Sequence, residues 1–206
     1  MERITTDEIK KAMSVLGKIK GASFKGEMEY ILEKKGREGL KILEKETEKL
    51  GYLIEHEKIK ETEWYPVGLR IVSFAAMINV FDWGEKELAE IAESSPKVSF
   101  IIRFFMKHFI SPPKIFRVAV PKMWERHFNI GSLETADFQM TKKDGYAVIR
   151  LKNFKLHPVY CFFFGHYLIG TFKLTDQRFK EIAFEETKCM FKGDDYHEYL
   201  IKWIYK

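Results

Sequence analysis

The chain has 206 residues, 46% of them hydrophobic and 32% charged, a balance that fits a packed globular protein and excludes a disordered one. Its net charge of +5 comes from 35 basic and 30 acidic residues. These alternate, as in Glu44-Lys45-Glu46-Thr47-Glu48-Lys49, so no basic patch of the nucleic-acid-binding kind forms. The apolar stretches are too short or too charged to span a bilayer and the N-terminus lacks a signal-peptide core, so a cytoplasmic protein with no membrane span is expected.

In chain order, the first half reads as helical. Met28, Ile31 and Leu32 share one face, as do Leu40, Leu43, Thr47 and Leu50, with breaks at Gly36 and Gly51. Trp64-Tyr65-Pro66 predicts a new helix with Pro66 in its first turn. Residues 67–81 are apolar nearly all round, which predicts a helix buried on several sides. A short polar helix follows over Glu85 to Glu93, then an apolar one over Val98 to Phe109 stopped by Ser111-Pro112-Pro113, and another over Pro121 to Phe128.

The second half changes period. Ala136 to Met140 and Tyr146 to Leu151 predict a hairpin turned by Asp144-Gly145. Pro158 to Leu174 has helix length, and Phe179 to Met190 with Tyr196 to Tyr205 predict a second hairpin around Lys192-Gly193-Asp194-Asp195. This order implies an α+β fold, helices packed on an antiparallel sheet with a helix between two β-hairpins. No linker divides the chain, so one domain over 1–206 is expected, mainly helical over 1–130 and hairpin–helix–hairpin over 131–206.

Catalytic signatures are missing: there is no Gly-x-Ser-x-Gly, no phosphate loop and no Gly-x-Gly-x-x-Gly after a strand. The expected role is therefore non-enzymatic. In the last hairpin, a loop centred on Gly193 sets Cys189 opposite His197, close enough for thiolate and imidazole to share a metal ion. Glu186 would sit on the other face of a regular strand and could join only through a bulge. Cys161, on the preceding helix, is the fourth candidate ligand. The same residues also suit a bland role, as small buried side chains beside a chance histidine.

A second candidate site is aromatic. Phe104, Phe105, Phe109, Trp124, Phe128, Tyr160 and Phe164, with His166 and Tyr167 as polar anchors, could line a pocket for a small hydrophobic or aromatic ligand, or could be ordinary core. His108 or His127 could serve as axial ligand to a haem.

The run Gly165-His166-Tyr167-Leu168-Ile169-Gly170, with Glu186-Thr187-Lys188-Cys189 through Gly193-Asp194 to His197-Glu198-Tyr199, resembles the end of the 4-vinyl reductase (4VR) domain family. That family shares a superfamily with TRAPP vesicle-tethering subunits and, more remotely, with haem nitric-oxide sensors. The resemblance covers about the last quarter of the chain. It implies a TRAPP-like fold, a small-molecule sensor signalling through a separate protein, a homodimer, and a structural zinc held by Cys161, Glu186, Cys189 and His197, the histidine replacing a family cysteine. The Tyr-x-Ser-x-Arg signature of the haem sensors is absent, so haem is not expected. Alternatives implied by the same relatives are a dimeric TRAPP-like scaffold or a protein of pigment (tetrapyrrole) biosynthesis.

Overall fold

A computed structural model describes residues 2–98, 120–176 and 178–206. Among them are six α-helices and two antiparallel sheets. Helix α1 (Thr6–Met13) starts on a capping box in which Thr5 and Glu8 satisfy each other's backbone donors. Helix α2 (Ala22–Lys49) is interrupted at Gly36, whose φ of 66° only glycine adopts cheaply. Its inner face buries Phe24, Ile31, Leu40 and Leu43, the helical spacing visible in the sequence. Helix α3 (Leu69–Phe81) has nine consecutive buried residues, Arg70 to Ile78, so its nearly uniform apolarity reflects neighbours on every side. Helices α4 (Glu85–Val98), α5 (Val120–His127) and α6 (Pro158–Thr175) complete the helical part, the last with Pro158 in its first turn and the His157 ring accepting from the Val159 N–H.

The main sheet comprises β3 (Ser132–Met140), β4 (Asp144–Lys152), β5 (Phe179–Lys188) and β6 (Tyr196–Tyr205), in the order β3-β4-β6-β5. Alternate residues of β4 and β6, including Ala147, Ile149 and Leu151 with Tyr199, Ile201 and Trp203, face inward as a period of two requires. Helix α6 packs between this face and α4. One continuous apolar cluster runs from Ile4 in the N-terminal arm to Tyr205 in β6. The α+β class is as the element order implied.

Three local expectations change. Trp64-Tyr65-Pro66 does not open a helix; it forms strand β2, paired with Lys18–Lys20 (strand β1) in a small second sheet. Pieces of three residues carry no readable period, and Pro66 is tolerated on so short an edge. Asp144-Gly145 is not the turn, because Met140 pairs with Gly145 and the loop is Thr141 to Asp144. Gly145 serves a different need: a Cβ there would lie 2.4 Å from the Trp203 ring. Strand β5 stops at Lys188, and Met190–Lys192 make a 3-10 turn instead of continuing it. The helix expected from Val98 to Phe109 lies outside the described residues beyond its first position.

Candidate functional site

Two features lie on either side of α6. The first is a cavity of about 60 Å³ where α2, α3, α5 and α6 meet strand β3. Trp124, Phe128, Tyr160, Phe164 and Tyr167 line it, as the sequence suggested, together with Phe163, Leu168 and Met123. The Trp124 and Phe128 rings stack at 4.0 Å between centroids, and Phe164 meets Trp124 edge-on. His166 is not on this cavity. It points away between α4 and β5, with Nδ1 3.0 Å from Glu93 Oε1 and its ring edge-on to Phe184. Phe104, Phe105, Phe109 and His108 fall outside the described residues.

The cavity also contains polar groups that sequence reasoning passed over. Arg70 lines it while remaining 1% exposed. Its Nη1 donates to Glu27 Oε2, and Glu27 Oε1 accepts from Ser73 Oγ at 2.9 Å and from His56 Nε2 at 3.1 Å. Burial alone would raise the Glu27 carboxyl, but the Arg70 charge and the His56 and Ser73 hydrogen bonds hold it below the usual carboxylate range. Three phenylalanines, Phe24, Phe74 and Phe163, hold the guanidinium against their faces at 4.8–5.2 Å. The visible signal was a lone arginine inside the apolar run 67–81; its partner stands 43 positions away, at a spacing no local pattern encodes.

His127 also lines the cavity. Its Nδ1 lies 2.8 Å from Met123 O, and because a carbonyl only accepts, Nδ1 carries the proton and Nε2 the lone pair. Burial lowers the imidazole pKa and favours this neutral form.

The second feature is the hairpin cluster. The ligand atoms of Cys161, Glu186, Cys189 and His197 all lie within 4.8 Å of one another. Lys188 pairs with Glu198, and one step further along that register puts Cys189 beside His197. The register shifts between Glu186 and Lys188, and this bulge brings Glu186 to the side of the sheet that its position in a regular strand would deny it. Helix α6 supplies Cys161, whose Sγ is 3.6 Å from His197 Nδ1. The Glu186 Oε1 is 3.1 Å from the same nitrogen. On the far side, His197 Nε2 donates to Phe154 O at 3.1 Å, so Nδ1 is the nitrogen left to face the two thiols and the carboxylate. Burial, then the nearby Glu186 charge, pushes the Cys161 thiol up, and burial raises Cys189 as well. For Glu186, burial opposes the charge, yet its contacts with His197 and Cys189 hold its carboxyl down. Four lone-pair groups converging on one buried point is an electrostatic conflict that a proton or a cation must relieve.

No family model and no curated protein sequence matches this chain. Solved structures do match, over about 90% of its length. An H-NOX protein from S. oneidensis in its Fe(II)NO ligation state superposes with a TM-score of 0.63 at 13% identity, covering 90% of this chain and 99% of its own. An oxygen-binding H-NOX domain related to soluble guanylate cyclases gives 0.59 at 13% identity, covering 91% and 95%. An unliganded Fe(II) H-NOX protein from K. algicida gives 0.58 at 14% identity, covering 90% and 96%. The chain has the H-NOX fold. This corrects the resemblance to 4VR domains, which rested on some twenty residues of one helix and one hairpin. Gly-Asp turns and Gly-containing helix contacts recur wherever a hairpin closes over a helix, so such a match is weak beside 90% of a chain. With it go the TRAPP-like scaffold and the two cofactor expectations drawn from it, zinc present and haem absent. Several of these H-NOX neighbours are described in an Fe(II) state, and one comes from work on haem redox potential and porphyrin distortion. Among the described residues, no helix is long and apolar enough to cross a membrane.

Proposed function

We propose that the protein is a ligand-sensing domain that uses the H-NOX fold, receiving its ligand in the cavity between the helices and strand β3. The observation that carries this is the cavity itself, apolar in its walls yet provided with Arg70, His127, Tyr160 and Tyr167. Closure round a ligand would shift α5 and α6, which contribute most of the wall, and a separate protein would read the change as a population shift. Haem is one ligand the side chains suit: the His127 ring donates from Nδ1 to Met123 O, and it lines the cavity together with Trp124 and Phe128. A haem held there would offer an iron coordination position for a diatomic gas. The present volume of about 60 Å³ is well below the roughly 300–1,000 Å³ of ordinary ligand sites, so a macrocycle would have to part the walls. Titration with haemin, followed in the Soret region, and calorimetric titration with compact organic molecules test the proposal together. One of the two classes is expected to bind and to raise the melting temperature. A Soret band lost in His127→Ala would make the ligand a haem, and binding by neither class would sink the sensing role.

We also propose that Cys161, Glu186, Cys189 and His197 bind a divalent transition-metal cation that staples α6 to the last hairpin. A sulfur, imidazole and carboxylate set within 4.8 Å suits such an ion. Protein groups would occupy all the positions, so its contribution would be to stability. Cobalt(II) is expected to bind one to one with the absorption bands of tetrahedral thiolate coordination, and to raise the melting temperature. Both effects should disappear in Cys189→Ser and in His197→Ala; equal spectra and melting in all three proteins would refute the site.

A further inference from the structure

The cavity's polar groups narrow the class of ligand it accepts, an inference that rests on the sensing role proposed above. Arg70 is fully buried and, among the described residues, its guanidinium makes a single hydrogen bond, from Nη1 to Glu27. Its remaining N–H donors belong to a side chain on the cavity wall. Tyr160 and Tyr167 line the same cavity. Burial raises both hydroxyls, the Arg70 charge opposes that, and neither has a hydrogen-bonding partner among the described residues. A guanidinium and two phenol hydroxyls are hydrogen-bond donors on the wall of one cavity, where among the described residues no acceptor is set against the phenols. A buried donor left without an acceptor is destabilising.

The charge balance decides what kind of acceptor. Glu27 already neutralises Arg70 in the core, so an anionic ligand would bring an uncompensated charge into an apolar space. A neutral oxygen would satisfy the donors without that cost. Size limits the rest: about 60 Å³ holds roughly four to six water-sized groups, at about 10–15 Å³ each.

We infer that the cavity binds a compact, uncharged carbonyl compound, its oxygen accepting from Arg70, Tyr160 and Tyr167 and its apolar body lying against Trp124, Phe128 and Phe164. No covalent step is involved. The test compares three probes of nearly equal size, cyclopentanone, methylcyclopentane and isobutyrate, by amide NMR titration of the full chain. Cyclopentanone is expected to bind at least tenfold more tightly than either of the others. Tyr160→Phe and Tyr167→Phe keep the rings, and each is expected to weaken cyclopentanone severalfold while leaving methylcyclopentane unchanged. Equal binding of cyclopentanone and methylcyclopentane would remove the donor anchor while keeping a ligand cavity. Tighter binding of isobutyrate would overturn the choice of a neutral ligand, and a His127-dependent Soret band would assign the space to haem instead. If no probe and no haemin binds, the sensing role falls as well.

Discussion

Glu27→Gln is expected to lower the unfolding free energy by about 3–5 kcal/mol, because it leaves the Arg70 charge buried without its counter-ion. Typical domains have only about 5–15 kcal/mol in all, so the loss is a large fraction of the fold's stability. Among the described residues, no second carboxylate pairs with Arg70. Arg70 is 1% exposed and enclosed by Phe24, Phe74 and Phe163, so it cannot turn to water. Urea unfolding at neutral pH measures the effect. A double variant, Glu27→Leu with Arg70→Met, removes both charges and should lose less than the single one, since an apolar pair of similar volume avoids the desolvation cost. If Glu27→Gln and wild type unfold at the same urea concentration, the ion pair contributes nothing. The same carboxylate sets an acid limit. Its folded pKa lies below the unfolded value of about 4.3. Its contribution is therefore complete above that unfolded value and is lost as pH falls through the folded one. The variant, lacking the group, should lose less stability than wild type over that acid range.

The sequence exposed the parts of this molecule whose cause is local. The uniform apolarity of 67–81 and the alternation in β4 and β6 are direct records of burial, and both elements stand where their periods indicated. The hairpin arithmetic was equally local: Gly193, at φ 101°, fixes the loop, and the pairing that follows brings Cys189 beside His197. What stayed hidden depends on chain segments meeting in space. The Glu27–Arg70–Ser73–His56 cluster joins α2, α3 and the 3-10 turn at His56–Lys58, and no spacing in the sequence announces it. The pairing of Lys18–Lys20 with Trp64–Pro66 spans more than forty residues and has three residues on each side. Aromatic density was legible, but not which rings face the cavity: Tyr160, Phe163, Phe164 and Tyr167 do, while Phe162 sits against His166 on the outer side of α6. The family match failed for a related reason. Motif residues that close a hairpin are dictated by the turn, so they say little about the remaining three quarters of the chain.

Gly170→Ala is expected to cost about 3 kcal/mol, near the upper end for a small-to-large change, even though alanine is the better helix former. Helices α4 and α6 pass so closely there that a Cβ on Gly170 would lie 2.3 Å from the Glu93 carbonyl oxygen and 2.7 Å from its Cα. Those are backbone atoms and cannot turn aside, so the helices must separate. Helix α4 cannot simply retreat, because its other side is pressed against α2, where a Cβ on Gly26 would meet Ser95 at 2.1 Å. Gly165→Ala, five residues earlier on the same helix, makes the control. Its new Cβ would meet the Phe184 ring at 2.2 Å. That ring belongs to a half-buried side chain on edge strand β5 and can rotate away, so the cost should be clearly smaller. Urea unfolding of the two variants side by side measures the difference, and equal losses would show that the α4–α6 contact yields as readily as one side chain. The consequence reaches the candidate site, since α6 carries both Cys161 and the Tyr160–Tyr167 wall of the cavity. Moving α6 away from α4 pushes it across the sheet, so Gly170→Ala should also weaken cobalt(II) binding at the hairpin cluster, while Gly165→Ala should leave it nearly unchanged.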